Sequence, residues 1–213
     1  MTNFIPIFPL NVVIYPGEIL NLHIFEPRYK ELVKECFSNK KAFGIPAVIN
    51  GHVVEFGTLV SINEIAREYD NGEMDIITNG TIVFRILEII KKIPDKLFSG
   101  AIVNYPENSE VYPRRDLMQA VIKAIRELHR ILNINKDFRK SDEESNAYDL
   151  AHHAGLSMEE EYELLGLFRE EQRLEYLKRH LGKVLPVVAE MEVLKERIML
   201  NGHFKNLSSF RFE

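Results

Sequence analysis

The hydrophobic pattern changes near residue 105, and this change limits what the chain can fold into. Before that point, short apolar runs alternate with turn residues, a pattern typical of β-strands in a sheet that closes on itself. After the proline-containing stretch 105–113, apolar residues recur every three or four positions, as they do on a helix face. The sequence therefore predicts an α+β fold with a partly closed β-barrel over residues 1–112 and an α-helical bundle over residues 113–213.

The first half also contains one early helix and one clear hairpin. Pro27 suits the first helical position, and apolar residues at helical spacing continue to Ser38 and Asn39, where we expect the helix to end. Asn71 and Gly72 supply the positive φ angles that a tight hairpin requires, and a second Asn-Gly pair precedes the fifth predicted strand. The predicted strands cover residues 4–10, 12–15, 43–49, 57–69, 81–90 and 97–105.

In the second half, Ser157 and Glu160 form a capping-box pattern that predicts the start of a helix. Gly155 is placed to end the preceding helix in a left-handed conformation. A long apolar stripe begins after Glu170 and passes through Pro186, where we expect a kink because proline has no amide hydrogen to donate.

Charge and cysteine content limit the partners and the compartment. The 27 Lys and Arg residues against 32 Asp and Glu residues give a formal net charge of −5, which disfavours nucleic acid as a partner. The one cysteine, Cys36, lies among apolar residues at helical spacing, which indicates a buried thiol in a reducing compartment. We find no signal-peptide pattern and no apolar run of membrane-spanning length, so we expect a cytoplasmic protein with no membrane contact.

Motifs for common chemistries are missing from the sequence. There is no P-loop, no GxGxxG, no GxSxG, and no HExxH or CxxC metal pattern. His152 and His153 are adjacent and would point about 100° apart on a helix, so they do not form a local metal-binding pair. A cluster of four glutamates around residue 160 lies where a helix begins, and there acidic side chains interact favourably with the helix dipole. We therefore expect no catalytic residue, no cofactor and no metal, and predict that the chain is not an enzyme.

Residues 5–33 resemble the opening of the Lon protease N-terminal domain family, and the likeness extends over most of the chain. The resemblance implies a barrel like that of pseudouridine synthase and archaeosine transglycosylase (PUA-like) domains, followed by a helical bundle, that selects protein substrates. It covers neither the AAA+ module nor the serine and lysine protease dyad of Lon, as in stand-alone bacterial members. We expect architectural roles for the motif residues: Phe25 and Tyr29 as anchors of the helix in the barrel, Glu26 and Arg28 as ties to neighbouring strands. The motif residues are Phe8, Pro9, Leu10, Pro16, Gly17, Phe25, Glu26, Pro27, Arg28 and Tyr29.

The leading functional hypothesis is a non-catalytic module that binds unfolded or apolar protein segments, as an adaptor or holdase working with a protease or chaperone. We expect binding in the cleft between barrel and bundle or along a free strand edge, with Tyr69 and Tyr112 as candidate peptide contacts. RNA binding by the PUA-like domain is the alternative, and a hydrolase with an unrecognised site is a third hypothesis. The family resemblance also allows a homodimer.

Overall fold

The computed structural model describes residues 2–109 and 115–203. The first half contains six strands and one helix: β1 (Thr2–Pro6), β2 (Ile19–Ile24), α1 (Pro27–Ser38), β3 (Phe43–Ile49), β4 (His52–Glu68), β5 (Met74–Ile90) and β6 (Gly100–Asn104). The second half contains four helices: α2 (Arg115–Ile131), α3 (Ala147–Ala151), α4 (Met158–Leu165) and α5 (Glu170–His203).

The strands form one antiparallel sheet in the order β1-β6-β5-β4-β3, with β2 paired to β5 off this path. The chain after β1 passes along β3, where single bridges join Ile7 to Gly44 and Leu10 to Ala47. These contacts bring the two ends of the sheet together without a continuous ladder. The prediction of an α+β fold with a partly closed barrel is therefore confirmed.

Two hairpins give the sheet its long central strands. The β3–β4 turn has positive φ angles at both Asn50 (51°) and Gly51 (78°). The sequence predicted such a pair of positive φ angles for Asn71 and Gly72. At the β4–β5 turn only Gly72 has a positive φ, and its amide donates to the carbonyl of Tyr69 at 2.8 Å. The expected hairpin is present, but it is a turn followed by a single left-handed glycine.

Helix α1 has the predicted bounds, whereas the strand predicted for residues 12–15 is irregular chain. The strand β2 was not predicted. Ser157 caps α4 through the predicted capping box with Glu160. Gly155 has a φ of +73° and lies four residues beyond the end of α3, and α5 continues through Pro186.

One apolar cluster spans the two halves of the chain. Tyr15 from the barrel stacks on Tyr148 from α3 with ring centroids 5.1 Å apart, and its hydroxyl donates to the carbonyl of Glu161 in α4 at 3.0 Å. Barrel residues Val13 and Tyr15 belong to the same buried cluster as the inward faces of α2 and α5. The predicted boundary at residues 112 and 113 lies outside the described residues and stays a prediction. No helix within the described ranges is long and apolar enough to cross a membrane.

Candidate functional site

Strand β2 lies at an edge of the sheet, because within the described residues β5 is the one strand that pairs with it. The amide of Gly80 donates to the carbonyl of Glu18 at 2.8 Å, just before β2 begins. Hydrogen bonding alternates along an antiparallel pair, so Leu20, Leu22 and Ile24 direct their main-chain groups toward β5. The main-chain N–H and C=O groups of Ile19, Asn21 and His23 therefore point away from the sheet, toward solvent.

The same alternation separates the side chains of β2. Ile24 is buried, and Leu20 and Leu22 pack against the core around α1. Ile19, Asn21 and His23 are exposed on the opposite face. The outer edge therefore combines free main-chain hydrogen-bonding groups with a mixed, accessible side-chain surface.

An aromatic cluster made of His23, Phe25 and Tyr69 lies at the end of this edge. The His23 ring is 6.2 Å from that of Phe25, nearly parallel to it, and 5.8 Å from that of Tyr69, nearly perpendicular to it. The guanidinium of Arg67 lies 4.5 Å from the centroid of the Tyr69 ring. Phe25 exposes 59% of its surface, so the cluster offers an accessible aromatic face beside the free edge.

Hydrogen bonds hold the cluster in place. Asp75 accepts from the Tyr69 hydroxyl at 2.7 Å and lies 2.7 Å from His23 Nδ1. The hydrogen bond from His23, followed by that from Tyr69, lowers the pKa of Asp75. The hydrogen bond to Asp75 in turn raises the pKa of His23. Both shifts favour the charged forms of His23 and Asp75, and the hydrogen bonds of Asp75 to His23 and Tyr69 fix the orientation of these two rings.

The start of α1 differs from the sequence expectation in two respects. Tyr29 is buried and stacks on Phe8 at 3.8 Å, as an anchor should, but the expectation that Phe25 anchors the helix is wrong because its ring is exposed. Glu26 and Arg28 form an ion pair with each other at 2.7 Å, and neither forms one with a strand in the part of the chain that the structure describes. Pro27 occupies the first position of α1, as predicted.

The motif segment Phe8–Leu10 connects the two ends of the partly closed barrel. The amide of Phe8 donates to the carbonyl of Gly44 at 2.8 Å, and the amide of Leu10 also donates to the main chain of β3. Pro9 lies between them, half-buried. This element therefore has the architectural position that was expected.

The Pro16–Gly17 element forms the predicted turn. The amide of Glu18 donates to the carbonyl of Tyr15 at 3.2 Å, and Gly17 has a φ of +84°. Gly17 also donates to the carbonyl of Gly80 at 2.8 Å, which places the turn directly before β2. The motif thus sets the direction in which the edge strand begins.

The other candidates take structural positions. Tyr112 lies outside the described residues. The Cys36 thiol is buried, and burial raises its pKa to about 11, as for an inert core cysteine. In the described residues, no group of three or more His, Cys, Asp or Glu side chains is placed to hold a metal ion. Among the glutamates of α4, Glu160 completes the capping box and Glu161 contacts His152.

The junction of barrel and bundle, the other expected binding place, is filled by side chains. Phe56 packs on Phe168 with ring centroids 5.6 Å apart, and the Phe56 amide donates to the Tyr162 hydroxyl at 3.1 Å. Together with the Tyr15–Tyr148 stack, these contacts occupy the space where a ligand would lie. The β2 edge is therefore the better-supported candidate.

The described residues form an α+β domain in which a partly closed antiparallel barrel packs against a helical bundle, with β2 at an edge of the sheet. Comparison with known proteins identifies the class of this domain. The family model for the substrate-binding domain of ATP-dependent protease La (Lon) matches residues 5–183. The chain belongs to this family, and it therefore contains a substrate-recognition module of the Lon type. No curated protein matches it.

Solved structures that are similar to this chain include two Lon N-terminal domains. A Lon N-terminal domain protein from Xanthomonas campestris is 26% identical, with a TM-score of 0.61 over 82% of this chain and 96% of the other. The N-terminal domain of Lon protease from the Mycobacterium avium complex is 12% identical, with a TM-score of 0.60 over 84% and 98%, and this likeness shows the fold alone.

Proposed function

We propose that this chain binds extended, apolar segments of other proteins by adding them as a further strand beside β2. The observation that carries the proposal is the outward direction of the main-chain groups of Ile19, Asn21 and His23, next to the exposed ring of Phe25. In strand addition, main-chain hydrogen bonds provide affinity, and contacts to alternate side chains provide selectivity.

The composition of β2 supports this role. Edge strands that must not pair with other chains usually carry lysine, proline or a bulge. The β2 sequence, Ile-Leu-Asn-Leu-His-Ile, contains neither lysine nor proline, and its register with β5 is uninterrupted. The edge is therefore chemically ready to accept a strand.

The finer role that we propose is that of a non-catalytic adaptor or holdase in the cytoplasm. Such a protein keeps unfolded segments accessible and passes them to a protease or chaperone. The family supports recognition of protein substrates. The single cysteine, buried in the core, suits a reducing compartment. Suppression of aggregation of an unfolded client by the purified chain would favour a holdase, whereas stimulation of a protease without such suppression would favour an adaptor.

Binding of a fluorescent apolar peptide tests the site. Asn21→Pro removes an outward amide that β5 does not use, so peptide affinity should fall while the sheet remains folded. Methylation of alternate peptide amides should weaken binding of the unmodified protein in the same way. Because the methylated peptide leaves the protein unaltered, this second measurement remains valid if the proline variant unfolds.

The aromatic cluster is tested with a matched control. Phe25→Ala and Tyr69→Ala should each reduce affinity by about tenfold, since aromatic anchors contribute most of the energy at such sites. Phe37→Ala removes a phenylalanine that is also exposed, but at the other end of α1, and should change nothing. Equal effects of all three substitutions would contradict the proposal, and salt-sensitive binding of RNA in place of peptide would favour the RNA alternative.

A further inference from the structure

The part of α5 that follows Pro186 exposes an unusual amount of apolar surface. Isolated apolar residues are normal on a protein surface, but a contiguous patch of this kind marks an interaction site. A short helix without packing contacts is also only marginally stable in water. The exposed large apolar residues of this segment are Val187, Met191, Val193, Leu194, Ile198, Met199 and Leu200.

Four of these residues continue a regular stripe. Val187, Met191, Leu194 and Ile198 follow at spacings of four, three and four, which is the heptad spacing of coiled-coil core positions. Each exposes more than half of its surface. We call these four residues the α5 seam.

The α5 seam is distinct from the face of α5 that is already buried. Leu174, Leu177 and Leu181 pack into the core shared with α2. At about 100° per residue, the seam lies roughly a quarter turn around the helix from that face. The seam is therefore not covered by the body of this chain within the described residues.

We propose that a second copy of this chain packs on the α5 seam as a short antiparallel coiled coil. In an antiparallel pair, with Met191 facing Leu194 of the second copy, Glu190 lies beside the seam opposite Arg197 of the second copy. The two-fold axis repeats this contact, so the surface complements itself in charge.

The charges flanking the seam favour this orientation. Within the described residues, neither Glu190 nor Arg197 has an ion-pair or hydrogen-bond partner in its own chain. A parallel pair would instead set Glu190 against Lys195, which already binds Glu192 at 3.1 Å. Parallel helices would also bring two folded bodies to the same end, with axes only about 8–10 Å apart, whereas antiparallel helices keep the bodies at opposite ends.

The test uses the full chain at concentrations up to about 100 µM, at which a weakly associating dimer is populated. Sedimentation equilibrium should give a dimer of about twice the 24.8 kDa of one chain. Leu194→Glu should yield a monomer whose barrel and bundle remain folded, because Leu194 is exposed and is not among the residues of the shared buried cluster. Val193→Glu is the matched control, since Val193 is also exposed but lies about 100° around the helix from Leu194 and outside the α5 seam, and it should leave the dimer intact.

Charge reversal tests the orientation. Glu190→Arg and Arg197→Glu should each weaken association by about tenfold, and the double variant should restore it. A wild-type chain that stays monomeric, or equal effects of the substitutions at 193 and 194, would overturn the proposal. A loss with Lys195→Glu together with no effect of Arg197→Glu would overturn the antiparallel arrangement.

Discussion

Arg173 and Glu170 form an ion pair 2.8 Å long in which both side chains are fully shielded from water. Arg173 also donates to the side-chain oxygen of Asn108 and to the carbonyl of Leu167, each at 2.8 Å. Glu170 accepts from the amide of Ala147 at 2.7 Å. The pair therefore joins the last part of the barrel half to α3 and α5, and its polar atoms are satisfied through contacts that are far apart in sequence.

Arg173→Met should lower the free energy of unfolding by about 3–5 kcal/mol, because it leaves the Glu170 carboxylate buried without its counter-charge. Urea denaturation measures this loss. Arg130→Met is the matched control: Arg130 pairs with Glu127 at the same three-residue spacing, but in solvent, so the free energy of unfolding should fall far less than in Arg173→Met. Similar losses in the two variants would contradict the role assigned to the buried pair.

His152 should make stability depend on pH in the alkaline range. Burial lowers the pKa of His152, but hydrogen bonds to Glu161 (2.7 Å) and Glu18 (3.2 Å) outweigh that effect and raise the pKa to about 9. The folded-state pKa exceeds the ordinary value of 6.5, so the stabilisation is complete below pH 6.5 and is lost as pH rises through 9.

The expected fall in the free energy of unfolding between these pH values is about 2 kcal/mol, below the full linkage value because the side chain is partly exposed. His152→Gln keeps a polar side chain that does not titrate and should remove this fall. Urea denaturation from pH 6 to 9 compares the two proteins. Parallel pH profiles would show that the contacts of His152 with the carboxylates do not stabilise the fold.

His153 should have the opposite effect in acid. Burial, assisted by the nearby positive charge of Lys136, lowers the pKa of His153 to about 4. His153 binds a proton near pH 6.5 in the unfolded chain but only near pH 4 in the folded chain. The free energy of unfolding therefore falls as pH decreases through this range.

His153→Phe retains a ring that can pack against Phe138, which lies edge-on 5.0 Å away, and removes the titrating group. Between pH 6.5 and 4.5, the free energy of unfolding of the variant should fall by about 1–2 kcal/mol less than that of the wild type. Thermal unfolding monitored across this range provides the measurement. An acid sensitivity equal to that of the wild type would assign the loss of stability to other groups.

Substitution of alanine for glycine should change the free energy of unfolding in opposite directions at two positions. A Cβ at Gly80 would lie 2.4 Å from the carbonyl oxygen of Tyr15, so Gly80→Ala forces the turn before β2 away from β5. A Cβ at Gly182 meets nothing within 4 Å, and alanine favours a helix interior. Gly80→Ala should lower the free energy of unfolding by about 1–3 kcal/mol and Gly182→Ala should raise it by about 0.5–1 kcal/mol in urea denaturation. A tolerated Gly80→Ala would show that the turn can shift without cost.

Gly80 also shows how far local sequence patterns predict this fold. The bounds of α1 and the cap of α4 followed from residues within one turn of each helix end, so the sequence predicted them correctly. The Asn79–Gly80 pair was interpreted as preceding a new strand at residue 81, yet it lies inside β5, where the missing Cβ allows Tyr15 to approach. This contact joins residues 65 positions apart, and no local pattern contains it.

The candidate site was only partly predictable for the same reason. Apolar and polar residues alternate from Leu20 to His23, which is a local signal for the strand β2, although this strand was not predicted. Tyr69, which the sequence suggested as a candidate peptide contact, lies next to the β4–β5 turn. Its contact with His23 depends on the pairing of β2 with β5, which sequence patterns alone do not specify.

Residue-specific amide exchange by NMR tests the central claim most directly. On addition of an apolar peptide, the outward amides of Asn21 and His23 should exchange more slowly, because they become donors to the added strand. The amides of Leu20 and Leu22, already paired with β5, should change little and serve as internal controls. Unchanged exchange at Asn21 and His23 under saturating peptide, with protection elsewhere in the chain, would contradict binding at the β2 edge.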